Sequence, residues 1–227
     1  MFYQSSGSGF MSNFPPVIKN LVIINALMLL ITLLTGDFMY EKFSLFYVES
    51  PFFKPYQFIT HMFMHGDFIH LFFNMYTLVI FGIVLEQIWG SQKFFLYYMV
   101  TGLGAAALHT LVLYIQASSL EGAAMAGDFS AMESLKAIMS TPTVGASGAV
   151  YGVLLAYGML FPNNVLQLLI PPVAIKAKWM VLIFGGLELV LGITNTGGNI
   201  AHFAHLGGMI FGYILIRYWK KNNRMYY

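Results

Sequence analysis

The sequence predicts an all-α, polytopic membrane protein, a bundle of six transmembrane helices. Of the 227 residues, 58% are hydrophobic and only 9% are charged, and the mean hydropathy is +0.71. A typical soluble domain carries about a quarter charged residues. The apolar residues also gather in runs of the length that crosses a bilayer, about 20 residues each. These observations exclude a soluble domain, and the absence of cysteine excludes disulfides and thiolate chemistry.

Six apolar runs lie between charged or Pro/Gly-rich breaks, and we expect each to form one spanning helix. In chain order they cover residues 17–35, 67–88, 92–115, 146–161, 173–194 and 200–218. Pro162-Asn163-Asn164 ends the fourth run early, although the apolar stretch VLQLLI follows it. The chain thus divides into a short N-terminal segment (1–16), a membrane domain (17–218) and a C-terminal tail (219–227).

The charge distribution predicts which side of the membrane the termini occupy. An even number of spans puts both termini on one side, and cytoplasmic loops are enriched in Lys and Arg. The terminal side holds Lys19, Lys93, Lys176, Lys178, Arg217, Lys220, Lys221 and Arg224, against Lys42, Lys54 and Lys136 opposite. We therefore expect cytoplasmic termini. The N-terminal sequence has neither the basic start nor the short apolar core of a cleaved signal or transit peptide, and we expect a bacterial plasma membrane.

Two long connections lie on the outer side. The first, residues 36–66, is rich in aromatic residues, which favour the headgroup region. The second, residues 116–144, contains DFSAMESLKAIM, where Ser130-x-x-Glu133 matches a capping box and apolar residues recur at helical spacing. We expect the first connection to lie in the membrane interface and the second to contain a short surface helix.

Polar side chains inside the predicted spans and at their ends mark candidate functional residues, because such groups are costly in hydrocarbon. They are His61, His65, His70, Asn74, Glu86, His109, Ser147, Tyr151, Glu188, His202 and His205. Ser147 precedes the inner end of its span by fourteen residues, about 21 Å, in a core about 30 Å thick. It therefore lies roughly 9 Å below the outer surface, and counting down the sixth span puts His205 at a similar depth. The second span brings His70 and Asn74 to the same layer.

A serine and a histidine at one depth can form a nucleophile and its general base. Gly148-x-x-x-Gly152 and Gly208-x-x-x-Gly212 are faces on which two helices pack closely, so we expect the fourth and sixth spans to meet there. Tyr151 lies one turn after Ser147 and can stack on His205. His70, Asn74 and the Ser147 N–H are donors suited to an oxyanion. The sequence predicts a Ser-His dyad, with no metal or cofactor.

Other interpretations remain open at this point. A serine between small residues is commonly a packing residue whose hydroxyl bonds a preceding carbonyl. His61 and His65 have the spacing of a zinc pair, but Met62 stands where zinc proteases carry their glutamate. We expect them instead to hydrogen-bond the first connection and to shape the start of the second span. His202 is a rival base.

The two glutamates of the spans also have more than one interpretation. Glu188 is either a proton site or a structural carboxylate, protonated or paired. His109 has no evident partner in the sequence. Glu86 lies near the cytoplasmic end of its span, where a carboxylate can reach water.

Three separated segments together resemble the rhomboid family of intramembrane serine proteases. They are HMFMHGDFIHLFFN (61–74), GASGAVYG (145–152) and AHLGGMIFG (204–212). The resemblance implies that Ser147 is the nucleophile of the pattern GxSG, flanked by Gly145 and Gly148, and that His205 is the base of AHxxGxxxG. His202 does not fit that pattern.

The same resemblance implies that His65, His70 and Asn74 match the family's H-x-x-x-x-H-x-x-x-N, with His70 and Asn74 at the oxyanion site, and that Tyr151 is the aromatic residue on the base. Many members carry a Trp-Arg pair in the first connection, where this chain has Pro55-Tyr56-Gln57-Phe58.

The resemblance also implies a function and partners. It predicts an endopeptidase that cleaves single-span membrane proteins near the outer face, surrounded by lipid. The modest net charge of +2, without a basic patch, indicates no nucleic-acid partner, and the sequence carries no signal for an oligomeric state. The alternatives are a non-catalytic rhomboid-like protein that binds membrane clients, and a small transporter. A transporter favours broken helices around a midplane site.

Overall fold

The described residues form a bundle of α-helices with one small pair of antiparallel strands. The structure, a computed structural model, describes residues 14–167, 172–194 and 201–222. The helices within these ranges are α1 (Pro16–Thr35), α2 (Asp37–Phe43), α3 (Gln57–Thr60), α4 (Phe68–Trp89), α5 (Ser91–Met125), α6 (Phe129–Ser140), α7 (Ser147–Leu160), α8 (Ala177–Thr194) and α9 (His202–Lys221). A short 3-10 turn, His61–Phe63, separates α3 from α4.

Each of the six predicted spans corresponds to one helix, which confirms the all-α polytopic architecture. Among the described residues, α1, α4, α5 and α8 are long and apolar enough to cross a membrane. Helix α7 has 14 residues, about 21 Å, and α9 carries Lys220 and Lys221 in its last turn. The chain is an integral membrane protein, and the count of six spans stays a prediction.

Helix α5 lies at the centre of the bundle and packs against α9 and α7. It runs ten residues past the predicted end at 115, to Met125. Contact with α9 is backbone to backbone, because a Cβ added at Gly207 would lie 2.9 Å from Ala105 Cα and 3.0 Å from the Gly104 carbonyl oxygen. The small residues therefore set the spacing of these two helices.

Of the two glycine pairs predicted to bring α7 and α9 together, only the first is in contact. A Cβ on Gly208 would overlap the carbonyl oxygen of Gly148, so the first glycine of each pattern meets the other helix. The second glycines face α5 instead: a Cβ on Gly152 would press on Thr101, and one on Gly212 would press on Tyr97. The reason is that α5 packs against both helices where the second glycines lie.

The first connection folds into a structured loop around Gln57, which is fully buried. Its Oε1 accepts hydrogen bonds from the N–H groups of Lys54 and Phe46, and its Nε2 donates to the carbonyl oxygens of Phe52 and Lys42, at distances between 3.0 and 3.4 Å. One amide side chain thus bonds backbone groups up to 16 residues away along the chain.

The surface helix of the second connection forms as α6, but the predicted capping box is wrong. The N-cap is Asp128, whose side chain accepts hydrogen bonds from the N–H groups of Ser130 (2.9 Å) and Ala131 (3.1 Å). An aspartate is as good a cap as serine, and it stands two residues earlier. Ser130 therefore lies inside the first turn.

Two further expectations differ from the structure. The stretch after α7 forms strand β1 (Val165–Gln167), which pairs antiparallel with β2 (Ala174–Lys176), so α8 begins at Ala177 and not at 173; the rest of VLQLLI lies outside the described residues. Glu86 is buried and does not reach water. It accepts hydrogen bonds from the N–H groups of Val17 and Ile18, both 2.9 Å, and caps the start of α1.

Candidate active site

Ser147 is the first residue of α7, and the loop before it is held by the first connection. Thr143 and Leu45 exchange two backbone hydrogen bonds, 2.8 and 2.9 Å long, and the Gly145 N–H donates to the carbonyl oxygen of His61 at 2.9 Å. Gly145 has a φ of +126°, a value that favours glycine. These contacts fix where α7 begins and hence where the serine stands.

The structure brings Ser147 and His205 together. Nε2 of His205 lies 2.7 Å from Oγ of Ser147, within the range expected for a nucleophile and its base. The ring of Tyr151 stacks on the imidazole with centroids 4.3 Å apart and planes 3° from parallel. The stack holds the imidazole in one plane on the face of α7.

His70 and Asn74 lie on one face at the start of α4. Asp67 caps this helix, since its carboxylate accepts a hydrogen bond from the His70 N–H at 2.8 Å. A Cβ added at Gly145 would lie 2.9 Å from Nε2 of His70 and 3.5 Å from Oγ of Ser147, so His70 faces the serine loop. Asn74 Nδ2 donates to the carbonyl oxygen of His70 at 3.0 Å.

The tautomer of His70 follows from its other ring nitrogen. The N–H of Gly66 donates to Nδ1 of His70 at 3.4 Å, so Nδ1 is the acceptor and Nε2 carries the proton. That N–H is directed toward the loop that holds Ser147.

A cleft of about 740 Å³ opens beside these residues. Its walls come from α4, from the loop 142–144, from α7 and from α8, which contributes Phe184. Lining residues that carry chemistry are His70, Asn74, Ser147, Tyr151 and His205. The first N–H groups of a helix have no partner within the helix and attract negative charge, so the start of α7 presents donors to this cleft.

Glu188 of α8 joins the site, which the sequence did not predict. Its Oε1 accepts a hydrogen bond from the Tyr151 hydroxyl and lies 2.9 Å from Nδ1 of His205, a short contact that is not aligned as a linear hydrogen bond. Its Oε2 lies 2.6 Å from Nδ1 of His202. Glu188 is therefore a paired carboxylate, and the hydrogen-bond partner of the serine is His205 and not the rival His202.

Glu188, His202 and His205 could also hold a metal ion, since one ligand atom from each lies within 4.8 Å of the others. Both carboxylate oxygens already face donors, however: the Tyr151 hydroxyl on Oε1, and a histidine Nδ1 on each. Glu188 is thus hydrogen-bonded to His202 and Tyr151 and in short contact with His205.

The remaining histidines support the loops around the site. Nδ1 of His61 donates to the carbonyl oxygen of Gln57 at 2.9 Å, and the ring of His65 packs edge-on against His70 with centroids 5.0 Å apart. Burial lowers the pKa of His61 to about 4 and that of His65 to about 3. His109 has a partner, because its Nε2 lies 2.9 Å from Oγ1 of Thr143.

Known proteins resemble this chain over most of its length. The family model of the Rhomboid domain matches residues 53–221. RHOMBOID-like protein 6, mitochondrial, of Arabidopsis thaliana is 29% identical over 162 residues, which are 71% of this chain and 43% of the relative. Rhomboid-like protein 11, chloroplastic, of the same plant is 30% identical over 168 residues, 71% and 51% of the two chains.

A yeast relative gives the same result. Rhomboid protein 1, mitochondrial, of Saccharomyces cerevisiae is 31% identical over 154 residues, 68% of this chain and 39% of the relative. The chain thus spans about half or less of the length of these three relatives. All three are eukaryotic proteins named for organelles, so they do not support the predicted bacterial plasma membrane. Because the family model covers all the candidate residues, from His61 to His205, we conclude that this chain belongs to the rhomboid family.

Proposed function

We propose that this chain is an intramembrane serine endopeptidase that cleaves transmembrane proteins near the outer face of the membrane. Ser147 is its nucleophile and His205 its general base. The observation that carries the proposal is the 2.7 Å distance between Oγ of Ser147 and Nε2 of His205, in a chain whose family is generally one of serine proteases.

The first chemical step forms an acyl-enzyme. Oγ of Ser147 attacks the carbonyl carbon of the scissile peptide while Nε2 of His205 takes its proton, which gives a tetrahedral oxyanion. Collapse breaks the C–N bond, and the proton on Nε2 goes to the leaving amine. Water, deprotonated by the same nitrogen, then attacks the ester carbonyl; the C–Oγ bond breaks, Nε2 returns the proton to Oγ of Ser147, and the carboxylic acid product leaves.

His70, Asn74 and the start of α7 stabilise the oxyanion. The Nε2–H of His70 faces the serine loop, and one amide N–H of Asn74 remains beyond the bond to the His70 carbonyl. Donors fixed before the reaction contribute on the order of 10²–10³-fold each. The Ser147 N–H adds a third.

The cleft gives substrate and water a route to the serine. A substrate helix hides its carbonyl groups in its own hydrogen bonds, so a segment must unwind before one reaches Ser147. The cleft lined by α4, α7 and α8, about 740 Å³ in volume, is where such an unwound segment would lie. With cytoplasmic termini, as the Lys and Arg distribution predicts, this cleft lies toward the outer face.

Cleavage by purified protein in liposomes tests the proposal, using single-span reporter proteins with helix-breaking residues near the outer end. We expect Ser147→Ala and His205→Ala to lower the cleavage rate on the order of 10⁴-fold or more. Ser119→Ala is the matched control, because that hydroxyl donates to the Gln116 carbonyl on an exposed part of α5.

Undiminished cleavage by Ser147→Ala would refute the proposal. A wild type that binds the reporters without cutting them would favour the non-catalytic client binder.

A further inference from the structure

Glu188 is a buried carboxylate beside the proposed base, and three donors surround it. We propose that Glu188 is the positioning residue of His205. It turns the Ser-His pair into a Ser-His-Glu relay, in which the carboxylate orients the imidazole and stabilises its charge but takes no proton. This inference rests on the proposed function. The geometry that carries it is the Nδ1 contact of 2.9 Å on one side of the imidazole and the Ser147 contact of 2.7 Å on the other.

The carboxylate fixes the tautomer of His205. A carboxylate surrounded by donors acts as an acceptor only, so the nitrogen that faces it, Nδ1, carries the proton. Nε2 is then left with a lone pair directed at Ser147, which is the form a general base needs. With the opposite tautomer, Nε2 would hold a proton and could not accept the serine's.

The carboxylate is itself held in place by residues of two other helices. The Tyr151 hydroxyl of α7 donates to Oε1, and Nδ1 of His202 in α9 lies 2.6 Å from Oε2. Tyr151 therefore restrains His205 in two ways: its ring stacks on the imidazole, and its hydroxyl holds the carboxylate that faces Nδ1. A carboxylate fixed at both oxygens has little freedom to turn away from the imidazole.

The same contact stabilises the charge that forms during the reaction. When Nε2 takes the Ser147 proton, the imidazole becomes an imidazolium, and a buried cation needs a nearby anion. Glu188 supplies this anion beside Nδ1. It stays unprotonated throughout, like the carboxylate of a Ser-His-Asp triad. The contact is not linear in the free protein, and such catalytic contacts tighten when substrate binds.

Glu86 provides a matched control. It is also buried and also faces three donors: it accepts hydrogen bonds from the N–H groups of Val17 and Ile18 and from Oγ of Ser91 at 2.7 Å. It lies at the opposite end of α4 from the cleft, since His70 is in the first turn of that helix and Glu86 is in the last turn. Loss of its charge tests what a buried carboxylate contributes to stability alone.

The experiment measures the rate constant of phosphonylation by a fluorophosphonate probe, together with kcat and KM on a cleaved reporter. We expect Glu188→Gln, which keeps the size and removes the charge, to slow labelling by about 10²–10⁴-fold and to lower kcat with KM unchanged. Glu188→Asp restores the anion one methylene away, so it should label faster than Glu188→Gln but more slowly than the wild type. Glu86→Gln should label at the wild-type rate.

Labelling of Glu188→Gln at the wild-type rate would overturn the inference, and so would equal rates for Glu188→Gln and Glu188→Asp. If Glu188→Gln fails to fold, Glu188→Asp decides, because a wild-type rate for it contradicts the relay. A wild type that is not labelled at all refutes the proposed function. A labelled wild type, an unlabelled Ser147→Ala and an unaffected Glu188→Gln refute only the relay.

Discussion

At the residue scale, two features of Gly145 require a glycine: its backbone conformation and the closeness of His70. Its φ of +126° lies where side chains are rarely found, and a Cβ there would sit 2.9 Å from Nε2 of His70. The glycine before the nucleophile is therefore needed both for the turn into α7 and for the approach of the oxyanion donor.

We expect Gly145→Ala to lower the cleavage rate at least tenfold, because the methyl group displaces the His70 ring that should stabilise the oxyanion, a donor worth about 10²-fold or more. Gly127→Ala is the control. That residue also has a positive φ, +90°, but nothing lies within 4 Å of its added Cβ. Equal activity of the two variants would contradict this account of Gly145.

The residues of the site differ in how far the sequence could predict them. Ser147 and His205 stand in fixed local patterns and at countable depths, so two independent arguments lead to each. Glu188 stood out only as a carboxylate in an apolar span. It reaches His205 because α8 packs beside α9, and no spacing along the chain encodes that tertiary contact.

At the element scale, the first connection acts as a clamp on the loop that precedes α7. It bonds that loop through Leu45 and through the carbonyl of His61, and its own shape depends on Gln57. The position of the nucleophile is thus set from outside the helix that carries it.

Gln57→Ala should destabilise this clamp and lower activity. The substitution leaves the buried N–H of Phe46 without its partner, at about 1–3 kcal/mol, and frees three part-buried backbone groups. We therefore expect a lower unfolding temperature and a cleavage rate reduced severalfold. Gln87→Ala, on an exposed position of α4, is the control. Thermal unfolding in detergent checks both, and an unchanged unfolding temperature for Gln57→Ala would count against the clamp.

The contact of α7 with α9 gives a second prediction at this scale. Gly208→Ala would force a methyl group into the Gly148 carbonyl, so α9 must shift and carry His205 away from Ser147. We expect loss of both stability and cleavage, since misplacement by about 1 Å can cost 10²-fold in rate.

Gly186→Ala, on α8, is the control for Gly208→Ala. It adds the same methyl group to a helix, but nothing lies within 4 Å of the added Cβ. It should leave the unfolding temperature unchanged or higher, since alanine favours the helix. A Gly208→Ala protein as stable and active as Gly186→Ala would contradict the close contact.

Two elements differ from the prediction because two local structures were compatible with the same residues. Asp128 and Ser130 are both good caps, and in the structure the helix begins directly after the aspartate. The stretch VLQLLI after α7 is as apolar as a helix, but its first three residues pair with Ala174–Lys176, a contact that the apolar pattern does not encode. Apolar runs alone do not distinguish short strands from helix.

At the scale of the whole molecule, the outer surface of the bundle is apolar. Leu33 and Leu34 of α1 are 72% and 78% exposed, and Ile193 of α8 is 70% exposed. Such large exposed patches mark contact with a membrane or a partner. The helices are apolar on both their inner and outer sides, which is why composition alone identified the class of fold.

The stability of the whole protein should fall in acid. His61 and His65 have folded-state pKa values lowered to about 4 and 3 by burial, against about 6.5 when unfolded. Below pH 6.5 the unfolded chain therefore binds more protons, and unfolding becomes easier as the pH falls toward 4.

Thermal unfolding between pH 8 and pH 5 checks this expectation. The unfolding temperature should drop with acidification, and His61→Asn, which keeps a donor for the Gln57 carbonyl, should drop less. An identical pH dependence in the variant would show that His61 does not carry the effect.

The most direct test of the central claim is the site of covalent modification. Intact-mass and peptide mass spectrometry after fluorophosphonate treatment should find a single adduct on Ser147, slowed at least about 10³-fold in His205→Ala and missing from Ser147→Ala. An adduct that persists in Ser147→Ala, or a wild type that stays unmodified, would contradict the assignment of Ser147 as a nucleophile activated by His205.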